Sequence, residues 1–226
     1  MQDKSNQTHR SVANCIGMFL LLMPVGATGC AKYKAFPLVP LKADFHQSAI
    51  RMSEVSVCME QLAPVACKRY FNKDLTRVGY QPIQFTVAND STDHVVLNLS
   101  RISVPGAEPQ SVAEKCHFNT AGRAAGYGVA GLFIWPLLIP AIVDGTGSAK
   151  ANGQMDIDFA AKALKDDVVV PYGTANGVLY VPNDQMSPNI SMRLINKGSN
   201  EVLLFRWIDG TPVAGVVENR STGTAD

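Results

Sequence analysis

The sequence predicts a mainly β protein of the α+β kind, an antiparallel β-sandwich with a helical insertion between its strands. Three observations carry this. About seven short stretches read as strands, and the clearest of them alternate apolar and polar residues with a period of two, as half-buried strands do. Clusters of Asn, Asp, Ser, Gly and Pro separate them, as turns do. Over residues 108–167 the period lengthens to that of a helix, across a span far longer than an ordinary sheet connection.

The first strand is "VSVCME", with Val55, Val57 and Met59 on one face. "KRYFNKDL" reads as a short helical turn before the next strand. "PIQFTVAND" directs Ile83, Phe85 and Val87 one way, and "NDSTD" supplies turn chemistry. "HVVLNLSRISV" then returns as its hairpin partner, with Val95, Leu97 and Leu99 inward. After Ser100 the apolar phase slips to Ile102 and Val104, which predicts a bulge or bend.

The insertion follows. Ser111 and Glu114 stand at capping-box spacing. "SAKANGQMDIDFAAKALKDD" sets Met155, Phe159, Ala163 and Leu164 near helical spacing. Strands resume at "VVVPYGTANGVLYVP", and "NISMRLI" and "EVLLFRWI" flank "NKGSN" as a second hairpin. The sandwich domain is therefore expected over 51–210, interrupted by 108–167, with 211–226 as a polar tail. The strand–turn–strand "YQPIQFTVANDSTDHVVLNL" is similar to immunoglobulin-like modules of bacterial envelope proteins. That resemblance implies an immunoglobulin-like sandwich and names no activity.

The N-terminus has the order of a targeting segment. Residues 1–10 are polar and carry Lys4 and Arg10; "CIGMFLLLMPV" is apolar and too short to span a bilayer. Small residues then lead to Cys30. Here the chain resembles the export signals of bacterial lipoproteins. Their box places a small or apolar residue three before a cysteine and a small one directly before it. Ala27-Thr28-Gly29-Cys30 fits, with Ala in place of the commoner Leu and with Pro24 in the apolar region as a second departure.

The resemblance covers about the first 30 residues. It implies that residues 1–29 are a signal peptide. It also implies that Cys30 becomes an acylated N-terminus, attached to the membrane through its sulfur. Residues 30–50, with Pro37 and Pro40 and no clean period, are expected as the lipidated N-terminus and a tether. Ala31, where Asp would imply inner-membrane retention, implies the outer membrane, facing the periplasm.

Charge excludes one class of partner. Lys plus Arg is 20 and Asp plus Glu is 19, so no basic field exists to hold a nucleic acid. Residues 1–29 carry Lys4, Arg10 and Asp3, so their removal leaves 18 residues of each sign. Three thiols remain besides Cys30: Cys58, Cys67 and Cys116. Cys58 and Cys67 are a candidate disulfide; the other reading makes all three small buried hydrophobes.

Ala124–Val143 runs for twenty residues without a charge, enough to cross a bilayer as a helix. Pro136 and Pro140 break such a helix, and Gly126, Gly128 and Gly131 weaken it. Gly122, Gly126 and Ala130 recur every four residues, the pattern of a close helix contact. The expectation is a segment covered by protein or by a partner rather than one inserted in lipid.

Recognisable chemistry is sparse. His46, His94 and His117 sit in no metal-binding motif, and no Gly-x-Ser-x-Gly elbow is present. Adjacent Cys116 and His117 point about 100° apart on a helix, a poor pair of ligands. No catalytic residue, metal or cofactor is expected. The expected function is a non-enzymatic envelope lipoprotein whose partners are the membrane, through its anchor, and other envelope proteins. The alternatives are a lipid-anchored enzyme or small-ligand binder with a site between insert and sandwich, or a protein that inserts in the membrane through 124–143.

Overall fold

The computed structural model describes residues 32–118 and 138–218; at 138–146, 214 and 218 it describes the backbone only. Apart from the first turns of one long helix, all of this belongs to a single compact unit, Lys32–Asn119 with Ser148–Asp226.

Among the described residues the unit is mainly β, with two antiparallel sheets and three α-helices. The first sheet holds β1 (Ile50–Met52), β2 (Val55–Gln61), β3 (Tyr80–Asn89) and β6 (Thr174–Pro182), in the order β1-β2-β3-β6. The second holds β4 (Val95–Ile102), β5 (Asp167–Val169), β7 (Asn189–Asn196), β8 (Val202–Ile208) and β9 (Thr211–Glu218), in the order β5-β4-β7-β8-β9. The inward residues of the two sheets meet in one core. Val57, Phe85 and Val181 face it from the first sheet; Leu97, Met192 and Phe205 face it from the second. These are the residues that the period of two assigns to one face. Trp207 lies fully buried among them, and its indole N–H donates to the Ser48 carbonyl at 2.7 Å.

The three helices are α1 (Pro64–Phe71), α2 (Pro109–Cys116) and α3 (Leu138–Lys162). They make a third layer, on the outer face of the first sheet. Cys67 and Phe71 of α1, Val112 of α2 and Met155 and Phe159 of α3 pack with Tyr80, Val178 and Tyr180 of the sheet. Alternation along β6 explains how one strand serves both cores: Leu179 and Val181 point into the sandwich, Val178 and Tyr180 into the helices.

Several expectations need correction. β3 and β4 are not a hairpin. β3 pairs with β2 and β6, whereas β4 pairs with β5 and β7. The Asn89–Asp93 turn instead carries the chain from one sheet to the other. Buried Asn89 organises it by donating to the carbonyls of Asp93, Val169 and Val170. Alternating strands joined by a turn read alike in both arrangements. The slip after Ser100 is real: the β4–β7 register is irregular between Leu97 and Ile102.

Residues 211–218, expected as the start of a polar tail, form β9 and pair with β8. Strands number nine among the described residues, not about seven. Ser111 does not cap α2, because the helix begins at Pro109 with Glu108 before it. Pro109 suits that place, where its missing N–H costs nothing.

Residues 33–41, expected within a tether, lie along the outer face of the first sheet. Leu41 N–H donates to Thr86 Oγ1 at 2.9 Å, and Gln84 Nε2 donates to the Val39 carbonyl at 2.8 Å. Gln84 and Thr86 are the outward residues of β3, so this strap satisfies polar groups that the helices leave uncovered. Among the described residues, no helix is long and apolar enough to cross a membrane.

Candidate functional site

The strap enters between α1 and α3, and three side chains hold it there. α3 presents Asp158 and Lys162 one turn apart on one side, a spacing at which side chains meet. Lys162 Nζ donates to Asp158 Oδ2 at 2.5 Å and to the Tyr70 carbonyl at 2.5 Å. Its ammonium also lies 5.4 Å from the centre of the Phe71 ring. Lys162 is only 7% exposed, so each of these partners offsets the loss of water. Tyr33, from the strap, donates its hydroxyl to the same Asp158 oxygen at 2.5 Å.

The backbone completes the clamp. Phe36 N–H donates to the Arg69 carbonyl at 3.0 Å, and Asn72 Nδ2 donates to the Lys32 carbonyl at 3.4 Å. Two open clefts, of about 530 and 400 Å³, flank the strap and share Ala35 and Asp158.

The chemistry of this cluster is that of a latch. Burial and the bond to Asp158 push the Tyr33 phenol well above its ordinary pKa. A phenol so held is a donor and not a base. The Lys162 ammonium is engaged by a carboxylate and a carbonyl, so it offers no free amine for covalent chemistry. Nearby, His117 Nε2 lies 2.7 Å from Asp156 Oδ1, and Asn152 brackets the backbone of Phe118 from both its amide groups. The end of α2 is thereby fixed to α3.

One constellation has the outline of a catalytic triad. His46 Nδ1 lies 2.8 Å from Ser48 Oγ, and its Nε2 lies 3.4 Å from Glu60 Oε2. Yet Ser48 is 4% exposed, and its hydroxyl donates to the Met59 carbonyl while accepting the Met59 amide at 3.1 Å. The proton that a triad passes to imidazole is here committed to a peptide carbonyl. Ser48 pins the chain to β2, and the group is structural.

The cysteines are equally settled. Cys58, Cys67 and Cys116 are buried free thiols, and Cys58 and Cys67 are not bridged. Cys67 Sγ lies 3.5 Å from the Leu62 carbonyl inside the helix layer, whereas Cys58 faces outward from β2 near Asp44. Burial pushes each thiol up to about 11. Cys116 and His117 go to different partners, one into the helix core and the other to Asp156. His94 is exposed. No group of three His, Cys, Asp or Glu side chains suited to a metal occurs among the described residues.

Cys30, Gly122, Gly126 and Ala130 lie outside the described residues, as does most of Ala124–Val143. Sequence reasoning did not anticipate the latch. The Asp158–Lys162 spacing was a local signal, but Tyr33 joins it across 125 residues. The chain matches no protein-family model, no curated protein and no solved structure.

Proposed function

We propose that this protein is a lipid-anchored bacterial envelope protein, non-enzymatic, acting as a structural or protein-interaction module that faces the periplasm from the outer membrane. The observation that carries the reading is Ala27-Thr28-Gly29-Cys30 after a short apolar region. The use of reactive groups supports the non-enzymatic part. Ser48, Tyr33 and Lys162 each spend their hydrogen bonds on holding the fold, and the thiols are buried in their protonated form.

The sandwich is read as immunoglobulin-like. Its order β2-β3-β6 over β5-β4-β7-β8, with the chain crossing between sheets from β3 to β4, supports that assignment. α2 and α3 would then interrupt it between β4 and β5, with α1 inserted between β2 and β3.

Metabolic labelling with a palmitate analogue tests the anchor. The wild-type chain is expected to take up label, and Cys30→Ala to remain an unlabelled, unprocessed precursor. Label retained in the variant would overturn the reading.

A further inference from the structure

We infer that the outer surface of the helix layer, where the strap, α1 and α3 meet, lies flat on an anionic phospholipid surface. The inference rests on acylation of Cys30 and goes beyond it, because an anchor alone fixes no orientation.

The first argument is reach. Only Ala31 separates Cys30 from Lys32, and two residues of extended chain span at most about 7 Å. Lys32 is no longer free chain. Asn72 holds its carbonyl, and Tyr33 beside it is locked to Asp158. A lipid-bearing Cys30 therefore brings this face, and no other, to the membrane.

The second argument is what the face presents. On α1, Cys67 and Phe71 point to the sheet, so Val65, Lys68 and Arg69 point away from it. On α3, Met155 and Phe159 point to the sheet, so Lys150 and Ile157 point away. The strap adds Lys32, Lys34 and Phe36. Val65 is 79% exposed, Ile157 73% and Phe36 60%. Apolar tips set among Lys and Arg suit the headgroup boundary of an anionic bilayer. Two of the acids beside the face are matched by a cation, Asp74 by Arg77 and Asp158 by Lys162. Val168, by contrast, is an exposed apolar residue on the outer face of the other sheet.

The test uses the full acylated protein in vesicles of phosphatidylethanolamine and phosphatidylglycerol that carry brominated lipid. Val65→Cys, Ile157→Cys and Val168→Cys are each labelled with bimane; the native thiols are buried. The expected result is loss of most emission at 65 and 157 with little change at 168. Adding Lys68→Glu and Arg69→Glu to the first variant is expected to restore it. Acylated protein in which 65 and 168 are quenched alike overturns the orientation while leaving the anchor intact. So does a probe at 65 shielded by a second copy or another protein instead of lipid. A chain with no acyl group overturns both readings.

Discussion

Phe159 of α3 stacks on Tyr180 of β6, with ring centres 5.7 Å apart and planes 18° from parallel, and the Tyr180 hydroxyl donates to the Phe159 carbonyl at 3.1 Å. Helix and sheet are thus joined by both packing and polarity. Phe71 adds a third ring, 4.9 Å from Phe159. The insertion is therefore part of the fold's second core. Phe159→Ala is expected to cost about 3–5 kcal/mol, the range for emptying a buried aromatic site. Deletion of 108–167 behind a short linker is expected to abolish cooperative thermal unfolding, because it uncovers Tyr180, Val178 and Phe71 together. Circular dichroism melts check both. A sharp melt from the deleted protein would show the sandwich to be self-sufficient.

A glycine makes the next joint possible. After α3 the chain crosses β6, where Leu164 N–H donates to the Val178 carbonyl at 2.9 Å and Ala163 bridges Val178. A Cβ at Gly177 would stand 2.6 Å from Leu164 Cα and 2.7 Å from its nitrogen. Both are backbone atoms, so nothing can swing aside. Gly177→Ala is expected to destabilise by more than the roughly 1–3 kcal/mol of ordinary overpacking. Gly153, inside α3, has nothing within 4 Å of the same position. Gly153→Ala is expected to stabilise by about 0.5–1 kcal/mol, the gain in helix propensity. Urea titrations of the two variants give opposite shifts of midpoint; shifts of one sign would contradict the argument.

What the sequence disclosed, and what it hid, follows the range of the interactions. Val57, Phe85 and Leu97 were legible as core because a period of two is local. The β7–β8 hairpin was legible for the same reason, with its turn chemistry beside it. The path from β3 to β4 was not. Asn89 looks like any turn residue until its amide is seen reaching Val169 and Val170, some eighty residues on. β9 was hidden because Thr211–Glu218 needs β8 beside it to become a strand. The strap was hidden likewise: its proline-containing sequence has no period, and its partners Thr86, Arg69 and Asp158 lie far along the chain.

The three thiols make a prediction about alkali. Burial raises Cys58, Cys67 and Cys116 from their ordinary 9.0 to about 11. In the unfolded chain they release protons near pH 9; in the fold they hold them until about pH 11. Between those values the unfolded state binds fewer protons, so stability falls as pH rises. The contribution is fully present below pH 9 and lost by about pH 11, at up to about 1.4 kcal/mol per pH unit for each thiol. Tyr33 and Tyr180, also kept protonated by burial, extend the fall above pH 10. Urea unfolding across this window is expected to show the decline, and replacement of all three cysteines by Ala to flatten its lower part. Ellman's reagent gives an independent reading. In protein that starts at residue 31, whose cysteines are Cys58, Cys67 and Cys116, it should leave the folded protein untouched and find three thiols in urea. A single reactive thiol there would mean that Cys58 and Cys67 are bridged after all, and rapid reaction of the folded protein would mean that the helix layer opens.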